Sequence, residues 1–220
     1  MTAPGREKVN IQPSFKEENR LYQQGYRRIA GLDEAGRGAL AGPVVAAAVI
    51  LPQRVRATWA GQVRDSKMLS PRARLALFEH ICDTALDVGI GMVSHDYIDR
   101  WGIASANRLA MQQAVEQLAP SPDFLLIDYL KLPGVPLPQK GITDGDALCT
   151  TIACASIIAK VIRDHIMTTL DGIVPGYNLG QHKGYGTAKH ISCLEQRGPS
   201  SIHRLSFQPL RDWLAPRLLP

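Results

Sequence analysis

A chain of 220 residues with 45% hydrophobic and 20% charged residues suits one globular domain with a sizeable core and excludes disorder along its whole length. Its net charge of +5 permits a polyanionic partner without requiring one, and its longest apolar run, residues 43–52, is far too short to cross a bilayer. Cys82, Cys149, Cys154 and Cys193 form no close metal-binding pair and follow no signal-peptide pattern, so they read as reduced thiols of a cytoplasmic protein.

Residues 1–16 are polar, carry Pro4 and Pro13, and read as a flexible tail; residues 15–25 suit a short helix. Residues 28–33 and 44–51 read as two strands of a hairpin around a glycine-rich turn at 36–42. Ser70 and Pro71 fit the N-cap and first position of a helix over 71–87, whose apolar face would be Leu75, Leu77, Phe78, Ile81 and Leu86. A short strand at 88–93 and a helix at 103–118 follow, then a buried strand, DFLLID, at 123–128. Three prolines within 131–141 suit an extended connection or an edge strand. The clearest helix is 152–170, with an apolar stripe at Ile152, Ala155, Ala159, Ile162 and Ile166, and Lys160, Arg163 and Asp164 outside that stripe. A loop rich in glycine and cations at 181–190, a short helix, and a terminal helix docked by Trp213 and leucines complete the chain. Strands first, then alternating helices and strands, give an α/β mixed sheet with helices packed on it.

Asp33 and Glu34 close one apolar strand and Asp128 closes another, so a sheet can bring these ends together. Clustered carboxylates repel one another unless a cation neutralises them, and three or four oxygen ligands are what Mg²⁺ or Mn²⁺ requires. Asp144, Asp146 and Asp164 compete for the last place. Asp164, roughly 20 Å along its helix from the start, is the poorest ligand and suits a salt bridge. Arg37, Lys67 and Lys183 are available to phosphates, although a single cation is more often plain surface. Tyr185, between two glycines, suits stacking on a sugar or base as well as loop packing. Gly36, Gly38 and Ala41 match a dinucleotide-binding spacing, but Pro43 leads into a strand where that motif needs a helix.

These segments resemble the bacterial ribonuclease HII family. The resemblance rests on DEAGRGALAGPVVAAAV from Asp33, RDSKMLSPRAR from Arg64, LLID from Leu125, GDALCTTIACASIIAKVIRD from Gly145, HKGYGTAKH and HRLSF, in consistent order from about Phe15 to Pro209. It implies a ribonuclease H-like fold: a central mixed five-stranded sheet flanked by helices, with a small helical C-terminal region (about 190–220) inside a catalytic domain spanning 17–220. It also implies a monomeric, metal-dependent endonuclease with Mg²⁺ or Mn²⁺. Such an enzyme cuts the RNA strand of RNA–DNA hybrids and incises 5′ of single ribonucleotides in duplex DNA, a repair reaction that leaves 3′-hydroxyl and 5′-phosphate ends.

By the same resemblance the catalytic, metal-holding acids fall on Asp33, Glu34, Asp128 and Asp146. The junction grip falls on Gly36, Arg37 and Gly38, the junction-sensing tyrosine on Tyr185, and Lys67 and Lys183 are left as phosphate contacts. Ala39, Met68, Tyr129, Asp144 and His182 depart from the family's usual pattern. None removes an acid, and Asp144 adds negative charge beside the expected site. A hybrid-binding module that no longer cleaves and a nucleotide-cofactor enzyme are the competing readings.

Overall fold

The computed structural model describes residues 12–55 and 57–215; the part of the expected tail at 1–11 lies outside the described residues. The chain runs α1 (Lys16–Gln23), β1 (Ile29–Ala35), β2 (Val44–Ile50), α2 (Pro71–Thr84), β3 (Asp87–Val93), α3 (His95–Trp101), α4 (Ile103–Glu116), β4 (Phe124–Asp128), β5 (Gln139–Ile142), α5 (Gly145–Leu148), α6 (Thr150–Ile173), α7 (Leu179–His182), α8 (Ala188–Arg197) and α9 (Leu210–Leu214). Two 3₁₀ turns, Thr58–Gln62 and Ser66–Met68, precede α2. Unlike a free tail, the chain is already held at Ser14, whose N–H donates to Leu148 O at 3.1 Å.

The sheet has five strands in the order β3-β2-β1-β4-β5. β1 pairs antiparallel with β2 and parallel with β4, and β5 extends the parallel half. The sheet is therefore mixed, as expected, and the proline-rich connection ends in an edge strand. The small residues of β1 and β2 let helices approach closely: a Cβ on Gly31 would fall 2.3 Å from the Thr151 carbonyl carbon, so glycine is what allows α6 to cross β1.

Alternation along the strands separates two cores. Ala30, Leu32, Ala46 and Ala48 face α4, with Ala106, Ala110, Met111 and Ala114. Ala35, Ala47 and Val49 face α6, with Ala153, Cys154, Ile157 and Ile158. α1 closes one end of α6, because Glu18 Oε1 accepts from Thr151 N–H at 2.9 Å and from the Thr151 hydroxyl at 2.7 Å, which satisfies donors that the first turn leaves free.

Several expected faces turn out differently. In α2 the buried residues are Arg74, Leu77 and Ile81, whereas Leu75 is exposed; the helix ends at Thr84, short of the expected 87, which leaves Leu86 beyond it and exposed. The i, i+3, i+7 stripe runs through Arg74 because its guanidinium has partners inside, donating to Ser66 O and Leu69 O, each at 2.9 Å. In α6 the stripe swings to Arg163 and Met167, both fully buried, while Ile162 and Ile166 are half-buried. The last helix docks through Leu210, fully buried, and Trp213 stays 45% exposed. α3 had no counterpart in the sequence reading; Ser94 caps it, accepting from Tyr97 N–H.

Candidate active site

Asp33 and Glu34 sit inside β1, paired opposite Ala47 and Ala46; the strand runs two residues past its expected end at Asp33, so Glu34 too lies within it. Alternation sends Asp33 to the α6 face and Glu34 to the α4 face, so the two carboxylates straddle the end of the sheet. Leu32 pairs with Ile127, which makes Asp33 and Asp128 the next residues of two adjacent parallel strands. Gly145 N–H donates to Asp128 Oδ1 at 2.7 Å and draws the start of α5, with Asp146, to the same place.

Burial raises the pKa of all four carboxyls. Asp33, 5% exposed, is raised well above the carboxylate range, first by burial and then by the charge of Glu34, with Asp128 and Asp146 adding to it and Ser156 opposing. Asp146 also adds to the rise at Glu34, and Asp144 to that at Asp128. Asp164 lies apart, 2.7 Å from Lys160 Nζ and 3.6 Å from Arg74.

Among the described residues no three His, Cys, Asp or Glu side chains form a ready coordination sphere. The donor set nevertheless suits a hard cation: four oxygen donors, each disfavoured as an anion where it stands, and partly satisfied oxygens on Asp33 and Asp128. Asn107 on α4 is 1% exposed with neither amide atom hydrogen-bonded. A buried amide with no partner is costly, and here it lies beside the carboxylates.

Next to the acids lies a cleft of about 330 Å³, lined by Glu34, Gly36, Arg37, Gly38, Ser66, Lys67, Ser156, Lys160 and Tyr185 among others. Arg37 is half-exposed with its Nη1 3.9 Å from Glu34 Oε1. Burial works against the charge of Lys67, but Asp65, Asp146 and Asp33 outweigh it and raise its pKa. The turn itself is held from beneath. Gly36 has φ +92°, and a Cβ there would meet Arg163 Nε at 1.8 Å. Arg163 donates to Pro43 O, Ala41 O and Lys183 O at 2.9, 3.1 and 2.9 Å, and its Cζ lies 5.3 Å from the Tyr185 ring centroid. Gly38 has nothing within 4 Å of a would-be Cβ, so crowding does not explain it.

Most of the expected contact residues meet here. Lys183 does not: its ammonium is engaged away from the cleft by the Thr168 hydroxyl at 2.6 Å and Gly180 O at 2.5 Å. The sequence reading missed Lys160, whose Nζ is 5.4 Å from the Tyr185 centroid, and Ser66 and Ser156, whose hydroxyls are 3.0 Å apart. It also placed Arg163 outside the buried stripe. The available signal was a polar row at 156, 160 and 163 along an otherwise apolar helix.

A family model described as ribonuclease HII matches residues 30–210. A ribonuclease HII of Dehalococcoides mccartyi is 60% identical over 202 residues, covering 92% of this chain and 96% of that protein. One of Roseiflexus castenholzii is 52% identical, covering 91% and 90%. Among solved structures, the ribonuclease H2 of Pyrococcus horikoshii superposes with a TM-score of 0.69 at 24% identity over 84% of this chain and 96% of that one. The Bst-RNase HIII complex with Mn²⁺ gives 0.65 at 20% identity over 97% and 76%; both establish the likeness of fold. With a family model matched over most of its length and close relatives along nearly the whole of it, the chain belongs to the ribonuclease HII family.

Proposed function

We propose that this chain hydrolyses the RNA strand of RNA–DNA hybrids and incises duplex DNA on the 5′ side of an embedded ribonucleotide, leaving 3′-hydroxyl and 5′-phosphate ends. The observation that carries this reading is the adjacency of two unlike walls: four carboxyls at one end of the sheet, each raised first by burial, and a cleft with Arg37, Lys67, Lys160 and Tyr185. Cations suit phosphates, and an aromatic ring beside a glycine turn suits a ribose edge.

Asp33, Glu34, Asp128 and Asp146 would hold Mg²⁺ or Mn²⁺; a solved relative of the same fold is described as an Mn²⁺ complex. When bound, such ions lower the pKa of a water and neutralise charge on the leaving oxygen. The chain's own part is to place the strand. Lys67 and Lys160 would draw backbone phosphates into the cleft, the Gly36–Gly38 turn would admit the sugar-phosphate backbone closely, and Tyr185 with Arg37 would meet the 2′-hydroxyl at the junction. The cleft is complete within one chain, which suits a monomer. Among the described residues no helix is long and apolar enough to cross a membrane, which is compatible with work in the cytoplasm.

The reading is tested with labelled RNA–DNA hybrid and Mg²⁺ or Mn²⁺: wild type cleaves, chelator stops it, and Asp128→Asn does not cleave. Hybrid binding without turnover would favour the non-cleaving module instead.

A further inference from the structure

The segment Ile202–His203–Arg204 lies outside the cleft, yet both recognition elements are tied to it. Its backbone pairs with the end of the arginine turn: Gly42 N–H donates to Ile202 O at 2.9 Å, Arg204 N–H to Leu40 O at 2.8 Å, and Ala41 and His203 form an antiparallel bridge. The Arg204 guanidinium, fully buried, donates to Gly42 O at 3.0 and 2.8 Å and to Arg37 O at 3.0 Å. On its other side the segment reaches the tyrosine loop. His203 Nε2 lies 3.0 Å from His190 Nε2, and His190 Nδ1 lies 3.0 Å from Tyr185 O.

Donor and acceptor chemistry fixes where the protons sit. A carbonyl only accepts, so His190 carries its proton on Nδ1 and, as a neutral ring, offers a lone pair at Nε2. His203 must then donate from Nε2 and accept at Nδ1. Two donors stand there, Ser200 N–H at 2.9 Å and the Ser200 hydroxyl at 2.7 Å. The bonds run one way, from Ser200 through His203 and His190 to Tyr185. Any other arrangement of neutral rings sets two donors or two lone pairs face to face or leaves Tyr185 O without this donor. Burial lowers the pKa of both rings, in keeping with their neutral state.

We propose that His203, acting through His190, is a positioning residue that fixes Tyr185 relative to the Arg37 turn, so that both meet the same ribose. The proposal rests on the reading of Tyr185 as the junction-sensing residue. An isolated ribonucleotide offers one productive register, and a misplaced Tyr185 misses it. A continuous hybrid offers a 2′-hydroxyl at every step and tolerates the slip. A residue that merely stabilised the fold would alter both substrates alike.

The test is kcat/KM on DNA duplex with one ribonucleotide and on continuous hybrid, for wild type, Tyr185→Ala, His203→Leu, His203→Gln and the Tyr185→Ala/His203→Leu double variant, each checked for folding by thermal melt. His203→Leu lowers the ratio of single-ribonucleotide to continuous-hybrid activity about three- to tenfold, the size one hydrogen bond converts to. His203→Gln, whose amide can still donate to His190, keeps the ratio near wild type. The double variant falls no lower than Tyr185→Ala, since both act through one group. Should the leucine variant not fold, His203→Asn, too short to reach His190, carries the same expectation. Equal losses on both substrates, or a loss that adds in full to that of Tyr185→Ala, would overturn the proposal. If Tyr185→Ala itself leaves the ratio unchanged, the reading of Tyr185 fails and the proposal with it. If Tyr185→Ala lowers the ratio and the His203 variants do not, the proposal alone fails.

Discussion

The Nε of Arg163 stands where a side chain on Gly36 would have to be, 1.8 Å from the position of its Cβ. Gly36→Ala must therefore displace a buried guanidinium and also hold φ +92°, a backbone cost of about 1–2 kcal/mol before any clash. We expect a lower Tm, and a loss of kcat/KM wherever the displaced turn no longer presents Arg37 to the cleft. Gly38→Ala meets nothing within 4 Å, so its unfolding free energy stays within about 0.5 kcal/mol of wild type. Any activity it loses then reports a substrate contact.

The buried acids oppose folding when no cation is present. Asp33 has a folded pKa raised well above its ordinary value. At neutral pH the unfolded chain therefore ionises more easily than the folded one, and the penalty fades only as pH falls through the folded pKa. Asp33→Asn is expected to raise the Tm of chelator-treated protein at pH 7.5 while abolishing cleavage. Added Mn²⁺ should raise the Tm of wild type and leave that of the variant nearly unmoved. A variant less stable than wild type in chelator would contradict this.

Placement separates three lysines that look alike in sequence. Lys160 and Lys67 line the cleft, whereas the Lys183 ammonium is occupied elsewhere. In a plot of log affinity against log salt for a hybrid, Lys67→Ala and Lys160→Ala should each lower the slope by about 0.7–0.9, the share of one phosphate contact. Lys183→Ala should leave the slope as it is.

Acid should loosen the histidine cluster. His203 is held down to about 4 by burial, then by His190, with His182 and His95 adding to it. Between its ordinary 6.5 and about 4, the unfolded chain takes up a proton that the folded one refuses, so stability falls as pH drops through that window. Above it the contribution is intact. At roughly 1.4 kcal/mol per pH unit the cost approaches about 3 kcal/mol at its lower end. Urea melts at pH 7.5, 6 and 5 should show the loss, and His203→Gln should flatten it.

Much of this was legible in residue patterns, and the exceptions share a cause. β1, β2, β4 and α6 announced themselves through apolar runs and period, and the strand-end acids through their placement. Arg163 and Arg74 did not, because a polarity pattern sends a guanidinium outward, and only the carbonyls brought to it from distant turns make burial tolerable. Lys183 and Lys160 exchanged places for the same reason: which lysine faces the cleft depends on how the 183–186 loop folds back on α6, a long-range contact that local spacing does not encode. Spacing alone left Asp144, Asp146 and Asp164 in competition; the resemblance put the fourth acid on Asp146, and Asp164 is paired with Lys160 and, through long-range packing that spacing does not encode, with Arg74.

The most direct measurement is end-mapping of a DNA duplex that carries one ribonucleotide, incubated with wild type and with Asp33→Asn in Mg²⁺ or Mn²⁺. The account predicts one incision by wild type, 5′ of the ribonucleotide, with 3′-hydroxyl and 5′-phosphate ends, and none by the variant. An intact duplex with wild type in both metals, or equal cleavage by Asp33→Asn, would contradict it.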